Sequence, residues 1–302
     1  MMEKYKLNSP YDNLALDISV CKAQSQKALF VIAHGMAEHK ERYISFMEYL
    51  ASKGYTSLIY DHRGHGQSVK TKDDLGYFND ESSDAIVEDL AMIIDDAKTR
   101  YSVQKLILLG HSMGSMVVRK YLQKHDEQID SLIVCGSPSY NPLSKIALLL
   151  IDVMKSFKGD RYRSPLIQNL AFGSYNKGII GESENRWLSY NKDNVKNYDE
   201  NELDGFIFTL NGFKNLFTLM QDAYDKKDYE VKNSDLPILF IAGHDDPVII
   251  NEEKFKSAVD FIKNLGYKNV QAILYPKMRH EILNESDNIK VYEDIINWID
   301  IK

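Results

Sequence analysis

The residues with the clearest chemical meaning lie in the stretch Gly110-His-Ser112-Met-Gly114. It follows the apolar run KLILL and precedes a segment of helical periodicity, Met113–His125. A serine between two glycines at such a strand-to-helix turn takes a strained backbone conformation, with its hydroxyl clear of the surrounding chain. The N–H groups that open the helix bring positive partial charge to the same point. We therefore predict that Ser112 is a nucleophile.

The partners that such a serine needs follow later in the chain. A serine hydroxyl is a weak nucleophile, so it requires a general base, and the base requires an acid that orients it. Asp245 and Asp246 come directly after the apolar run PILFIAG, and His280 follows the run VQAILY. The carboxyl ends of strands form the edge where open α/β sheets build their sites. His280 is the predicted base, because it alone among the eight histidines follows both Ser112 and an acid-bearing strand end.

The orienting acid is one of two adjacent aspartates, and their adjacency leaves room for only one of them to face His280. Asp246 is preferred, because the fixed φ of Pro247 stiffens the loop that holds it. Asp245 stays open as the alternative. The aspartate that is not used is expected to be a solvated loop residue or a helix cap.

Attack on a carbonyl also requires N–H donors for the oxyanion that forms. One donor is expected from the residue after the nucleophile, Met113, and the other from the loop after an early strand. The run ALFVIA ends in His34-Gly35-Met36, where a glycine lets the backbone approach a substrate closely. We therefore predict the main-chain N–H groups of Met36 and Met113 as the two donors.

Five stretches of the chain together resemble the monoacylglycerol lipase and lysophospholipase branch of the α/β-hydrolase fold. They are HGMAEHKERY from His34, DHRGHGQS from Asp61, GHSMG from Gly110, GHDDPV from Gly243 and the pair His280-Glu281. The resemblance runs from about residue 10 to about residue 300. It implies a catalytic triad of Ser112, Asp246 and His280, with the oxyanion donors on Met36 and Met113.

The segment Asp61–Ser68 is dense in histidine and charge, yet we interpret it as a structural turn. In such a turn glycines make the bends and polar side chains tie loops together. Glu38, His39 and Arg42 are likewise expected to brace the loop that carries Met36.

A mostly parallel sheet is the element that would bring these residues together. The predicted strands are residues 14–20, 28–34, 55–61, 105–110, 131–137, 237–243 and 270–275, and the predicted helices are residues 42–53, 82–100, 113–125, 251–265 and 289–301. Alternation of strand and helix is typical of a parallel sheet with helices on both faces. We expect the α/β class and an α/β-hydrolase fold, with residues 1–137 and 237–302 as its core.

Residues 138–236, here called the insertion, lose this alternation and contain helix-like stretches at 142–157 and 205–224. The insertion is too long for a bare loop. A long insertion at this point of an α/β-hydrolase fold resembles a cap, so the resemblance implies a helical cap, or lid, over the active site. Apolar residues from Ile146 to Phe157 recur with helical spacing. Either this face packs on the core, or it receives an acyl chain and touches a membrane surface transiently.

Composition limits the classes of function. The chain has 302 residues, 44% of them hydrophobic and 27% charged, as in ordinary globular proteins. Its net charge of −7 argues against binding to nucleic acid. There is no signal-peptide core, no apolar run near the roughly 20 residues of a membrane span, and no metal or dinucleotide motif. We therefore expect a cytoplasmic protein without metal or cofactor, with Cys21 and Cys135 as reduced, buried thiols.

These observations favour a serine carboxylester hydrolase that cleaves a small-molecule acyl ester through an acyl-enzyme. Single-chain esters such as monoacylglycerol or lysophospholipid are the expected substrates. A small-ester esterase, a thioesterase or a serine aminopeptidase would use the same machinery, since the fold does not decide which bond is cleaved. A non-catalytic ligand-binding protein on a hydrolase fold is the alternative from another class. The sequence leaves the oligomeric state open.

Overall fold

The computed structural model describes residues 2–102 and 105–301, with an eight-stranded sheet at its centre. The strands are β1 (Met2–Asn8), β2 (Ala15–Cys21), β3 (Ala28–Ala33), β4 (Tyr55–Tyr60), β5 (Leu106–His111), β6 (Ser131–Cys135), β7 (Ile238–Gly243) and β8 (Val270–Tyr275). Their order across the sheet is β1-β2-β4-β3-β5-β6-β7-β8. Strands β3 to β8 are parallel, whereas β2 is antiparallel to both β1 and β4. The predicted fold class, a mostly parallel α/β sheet, is confirmed.

Strand β1 is the one strand of this sheet that the sequence analysis does not predict. It is an edge strand, paired with β2 so that Tyr5 lies opposite Ile18. Its sequence MEKYKLN has no fully buried residue. A strand that buries so little apolar surface has only a weak hydrophobic signature, which explains why the pattern misses it.

Helices cover both faces of the sheet. They are α1 (Ile44–Ser52), α2 (Ala85–Tyr101), α3 (Met113–His125), α4 (Leu143–Lys158), α5 (Pro165–Phe172), α6 (Lys192–Glu200), α7 (Leu210–Ala223), α8 (Glu252–Leu265) and α9 (Asn288–Asp300). Successive strand residues point to opposite faces. Leu108 therefore packs in the core shared with α2, α3 and α8, while Leu109 packs in the core shared with α1 and α9.

The insertion contains α4 to α7, and within the described residues it adds no strand to the sheet. Helices α4 and α7 fall within or close to the predicted helix-like stretches. Helix α7 begins later than the pattern suggests, because Thr209 caps it by accepting the Gly212 N–H at 3.1 Å. Helices α5 and α6 are not predicted, since they have only 8 and 9 residues and bury few of them.

Two further expectations concern the two cysteines and membrane-spanning helices. Cys21 and Cys135 are free and buried, as predicted. None of the described helices has the length and apolar character needed to cross a membrane. The outer ends of the predicted core segments, residues 1 and 302, lie outside the described residues.

Candidate active site

Ser112 lies at the turn between β5 and α3, with φ 52° and ψ −117°. A positive φ is unfavourable for a residue with a side chain, so the turn is strained there. The Ser112 N–H donates to the Cys135 carbonyl at 2.9 Å. A Cβ at Gly110 would collide with the backbone of Gly114, and a Cβ at Gly114 would collide with the backbone of Ala33. Only glycine fits these two positions, so the sequence G-x-S-x-G follows from the tightness of the turn.

His280 and Asp246 approach each other from neighbouring loops, after β8 and β7 respectively. His280 Nδ1 lies 2.9 Å from Asp246 Oδ2, and both residues are 2% exposed. The other Asp246 oxygen accepts the Val248 N–H at 2.8 Å, which fixes the carboxylate. Asp245 points to the surface instead and accepts the Tyr190 hydroxyl at 2.9 Å. Of the two candidate acids, Asp246 is therefore the one in contact with the imidazole.

Ser112 and His280 line the same cavity. Within the described residues, neither Ser112 Oγ nor His280 Nε2 makes a hydrogen bond. The hydrogen bond between nucleophile and base often forms only when substrate binds. The lack of one here is therefore compatible with a catalytic pair. Two aromatic side chains lie against the imidazole: His111 at 4.7 Å and Trp187 at 5.2 Å between ring centroids.

Met36 and Met113 both line the same cavity. The Met36 N–H makes no hydrogen bond within the described residues. Met113 is the first residue of α3, so its N–H has no acceptor inside the helix. The loop of Met36 lies close to the serine, since a Cβ at Gly35 would be 3.1 Å from Ser112 Cβ. Both predicted donors thus lie near Ser112, where they can bind a developing oxyanion.

Glu38 braces the loop that carries Met36, as predicted. Its Oε1 accepts the Gly35 N–H at 2.5 Å and the Tyr43 hydroxyl at 2.9 Å. Its Oε2 accepts from Arg42 at 3.2 Å. Burial alone would raise the pKa of Glu38, but the hydrogen bond from His111 and the charge of Arg42 hold that pKa well below its usual range. Glu38 therefore stays ionised and keeps its hold on Gly35.

Ala37 is held from both the core and the insertion. It has φ 51°, and its N–H donates to His65 Nε2 at 3.2 Å. Its carbonyl accepts the Tyr198 hydroxyl at 3.0 Å and the Gly205 N–H at 2.8 Å. Burial lowers the pKa of His65 to about 3, so the ring is neutral and can accept the bond. The conformation of this loop therefore depends on residues far along the chain.

The histidine-rich turn Asp61–Ser68 is structural, in agreement with the sequence interpretation. Asp61 accepts from the buried Lys40 ammonium at 2.7 Å, and Arg63 donates to the buried Asp89 at 2.7 Å. These charges are paired and nine-tenths or more buried. They tie the turn to neighbouring elements, as a structural role requires.

The predicted brace at His39 is a contact with the insertion. His39 Nδ1 lies 2.8 Å from Asp204 Oδ1, and both residues are buried. Burial would lower the pKa of His39, but the hydrogen bond and the charge of Asp204 raise it on balance. The pair adds an electrostatic link between the oxyanion loop and the insertion.

A cavity of about 1340 Å³ lies above Ser112, between the sheet edge and the insertion. Its apolar lining comes largely from the insertion, including Ile146, Leu150, Ile167, Phe172, Phe206, Leu216, Phe217 and Met220. Ligand pockets usually measure about 300–1,000 Å³, so this cavity is large enough for a sizeable ligand. Its acidic lining residues are Glu38, Glu184 and Glu281.

Sequence reasoning missed Trp187, the residue of the insertion that lies against His280, and its anchor Glu285. Trp187 lies in a short turn, Arg186–Leu188, where no periodicity marks it. Its only signal is rarity, since the chain has two tryptophans. Glu285 follows His280 by five residues, but nothing in the sequence indicates that its partners lie near residue 190.

Comparison with known proteins agrees with this architecture. A solved structure of a highly thermostable carboxyl esterase from Bacillus coagulans, in complex with glycerol, superposes with a TM-score of 0.91 at 22% identity, covering 99% of this chain and 98% of that one. A probable lysophospholipase L2 of Haemophilus influenzae is 25% identical over 269 residues, 87% of this chain and 80% of the relative. A monoacylglycerol lipase of Mycolicibacterium smegmatis is 22% identical over 273 residues, 90% and 88% of the two chains.

A family comparison covers most of the chain. Residues 24–287 match the family described as serine aminopeptidase, S33. The match includes the elbow at Ser112 and the loops of Asp246 and His280. Together with the fold, it shows that this chain is an α/β-hydrolase-fold serine hydrolase that belongs to the serine aminopeptidase S33 family.

Proposed function

We propose that this hydrolase cleaves single-chain acyl esters, of the monoacylglycerol or lysophospholipid class. The observation that carries the proposal is the large, mainly apolar cavity that Ser112 lines. The names of the two relatives, lysophospholipase and monoacylglycerol lipase, support the same substrate class. The enzyme is proposed to act in the cytoplasm, which its two free, buried cysteines support.

In the proposed mechanism Ser112 is the nucleophile, His280 the general base and Asp246 the orienting acid. Ser112 Oγ attacks the ester carbonyl while His280 Nε2 takes its proton. The N–H groups of Met36 and Met113 stabilise the oxyanion. The intermediate then expels the alcohol, which receives the proton from His280. Water, deprotonated by His280, attacks the acyl-enzyme and releases the fatty acid.

The acyl chain is proposed to lie among the apolar side chains of the insertion. Each methylene group moved out of water contributes about 0.8 kcal/mol, or roughly fourfold in binding. A cavity of about 1340 Å³ with this apolar lining is therefore proposed to favour medium or long chains over acetyl esters. Glycerol or a phosphorylated head group would remain at the open side of the cavity.

A serine aminopeptidase is the second candidate, because the matching family carries that description. Such an enzyme needs a carboxylate to hold the ammonium group of its substrate. Of the acids that line the cavity, Glu38 and Glu281 are both bound to Arg42. The third acid, Glu184, is exposed to solvent, which weakens its attraction for an ammonium group. This distribution of charge supports an ester substrate.

The insertion is proposed to be a cap that contacts lipid, with residues 1–137 and 237–302 as the catalytic core. Helix α4 turns Leu150 towards the cavity but leaves Leu149, Val153 and Phe157 exposed by 69%, 56% and 82%. A contiguous exposed apolar face is typical of a protein or membrane contact. Because the chain has a net charge of −7, we expect contact with neutral lipid driven by apolar burial.

Hydrolysis of an ester series tests the proposal. Purified enzyme is given p-nitrophenyl esters from acetyl to dodecanoyl, monoacylglycerols, lysophosphatidylcholine and an aminoacyl p-nitroanilide. Ser112→Ala should abolish all turnover, and the matched control Ser174→Ala, another serine of the cavity lining, should keep it. A preference for long chains supports the proposal. Activity on the anilide alone would favour the aminopeptidase, and activity in Ser112→Ala would refute the triad.

A further inference from the structure

One segment of the insertion, residues 186–191, is bound tightly to the loop that carries His280. The Glu281 N–H donates to the Leu188 carbonyl at 2.8 Å. Arg279 donates to the carbonyls of Arg186 at 2.7 Å and Ser189 at 3.1 Å. These bonds involve the residues immediately before and after His280, so the loop and the segment form one unit.

Glu285 binds both parts of this unit, the segment 186–191 and the loop of His280. Its carboxylate is buried, with 3% of the residue exposed. On the insertion side it accepts the Ser189 hydroxyl at 2.7 Å and the Tyr190 N–H at 3.0 Å. On the loop side it accepts the Arg279 N–H at 2.9 Å. Charge-assisted bonds to a buried carboxylate are strong, so residues 186–191 are a fixed part of the site.

This unit places Trp187 against His280. The two rings are 5.2 Å apart at their centroids and inclined by 40°. Tyr175 packs behind the indole at 5.0 Å, with its ring edge-on. Trp187 also lines the cavity, so it separates the imidazole from part of the substrate space.

Asp246 alone does not fix the imidazole. It holds Nδ1, and a ring held at one nitrogen can still tilt about that contact. Tilting moves Nε2, the atom that must reach the Ser112 hydroxyl. A neighbouring ring whose centroid lies 5.2 Å away restricts this tilt. A displacement of about 1 Å can cost on the order of 100-fold in rate.

We propose that Trp187 is a positioning residue for His280, supplied by the insertion and held in place by Glu285 and Arg279. The proposal rests on the proposed function, in which His280 is the base. It assigns the insertion a part in the chemistry in addition to its part in the substrate pocket.

A double-mutant cycle tests this role. The rate constant kcat/KM is measured on p-nitrophenyl acetate, whose short acyl group needs little of the apolar cavity, for wild type, Trp187→Ala, His280→Ala and the double variant. If Trp187 acts through His280, Trp187→Ala lowers kcat/KM of the wild type by about 10- to 100-fold, mainly through kcat. In the His280→Ala background, the same substitution lowers kcat/KM by less than about twofold. Equal losses in both backgrounds overturn the proposal.

Two further variants protect the test against a folding artefact. Trp187→Phe keeps an aromatic face and should restore most of the activity lost in Trp187→Ala. Phe172→Ala removes another aromatic ring of the cavity, and its effect should be the same with and without His280. Thermal unfolding is measured for each variant, and if Trp187→Ala unfolds, the cycle is run with Glu285→Gln.

Failure of the proposed role of Trp187 can be distinguished from failure of the proposed function. Activity that survives Ser112→Ala refutes the triad itself. Loss of activity in Ser112→Ala, combined with additive effects of Trp187→Ala and His280→Ala, leaves the triad in place and refutes only the role of Trp187.

Discussion

Arg42 and Glu281 form a two-pronged ion pair, with nitrogen–oxygen distances of 2.7 and 2.6 Å, in the wall behind the proposed catalytic residues. Arg42 also donates to Glu38, which holds Gly35 beside the proposed oxyanion donor. Glu281 directly follows His280. The loop of Met36 and the loop of His280 are therefore joined through one guanidinium.

This relationship predicts the effect of Arg42→Lys. Lysine keeps the positive charge but cannot bind two carboxylates with a planar fork. We expect turnover to slow by at least about tenfold, with a smaller change in KM, because both loops lose their common anchor. Steady-state kinetics on p-nitrophenyl butyrate measures kcat and KM of the variant and the wild type. Arg161→Lys, at an exposed ion pair with Asp74, is the matched control and should retain full activity.

Removal of the positive charge of Arg42 should also lower the free energy of unfolding. Arg42→Ala leaves Glu38 and Glu281 buried without their cation, and breaking such a pair typically costs about 3–5 kcal/mol. Urea unfolding of wild type and variant measures this difference. A loss below about 1 kcal/mol would show that the two carboxylates find other partners.

The elbow glycines give a steric prediction. Gly114→Ala would drive its methyl group into the backbone of Ala33 and His34, which cannot move without displacing β3. We expect loss of Ser112 labelling by a fluorophosphonate together with strong destabilisation. The control is Gly178→Ala, at a glycine with φ 80° that has no atom within 4 Å of the new methyl group. It should cost only about 1–2 kcal/mol of backbone strain and keep labelling intact.

The pair of His39 and Asp204 gives a pH dependence. The pKa of His39 is raised in the folded protein above its ordinary value of 6.5, so folding favours the protonated ring. The stabilisation is fully present below the ordinary pKa and is lost as pH rises through the folded pKa. The free energy of unfolding of wild type minus that of His39→Gln should therefore decrease from about pH 5.5 to about pH 8.5. A difference that is constant with pH contradicts the ion pair.

The cavity predicts how chain-length preference can be changed. Met220→Trp adds a bulky ring to a half-buried position of the apolar lining. We expect kcat/KM for dodecanoyl esters to fall at least about tenfold, while that for acetyl esters stays within about twofold. The ester series already described measures this ratio. An equal loss at all chain lengths would mean that the acyl chain lies elsewhere.

The exposed face of α4 predicts lipid binding. Phe157→Ser should weaken binding to neutral phosphatidylcholine vesicles by roughly tenfold, because burying a phenylalanine contributes about 1.5–3 kcal/mol. Hydrolysis of soluble acetyl esters should be unchanged. Ile180→Ser, at a side chain that is 99% exposed but lies off α4, is the control and should bind normally. Vesicle co-sedimentation measures both variants.

The sequence predicts the core of the fold well, for a physical reason. Strands such as β3 and β5 are buried on both faces, so they are continuous apolar runs that cannot be mistaken. Ser112 follows the end of β5 directly, whereas His280 lies five residues after β8, a strand with exposed residues. The close spacing of the glycines around Ser112 adds a steric requirement that few other turns share.

The insertion is predicted poorly, because its contacts are long-range. Helix α4 is apolar on more than one face, so its periodicity cannot tell the inward Leu150 from the exposed Leu149. Glu285 and Trp187 act through partners that are distant in sequence or lie outside regular elements. No local pattern encodes such contacts.

The carbonyl of Ala37 is held by Tyr198 and Gly205, residues that leave the ribosome more than a hundred positions later. During synthesis, the loop of Met36 and Ala37 therefore cannot reach its final shape before the insertion has folded onto it. The same dependence limits the exchange of modules between related enzymes. A chimaera that carries the insertion of another hydrolase would inherit new oxyanion geometry along with a new pocket, unless the counterparts of these two residues are transferred with their spacing.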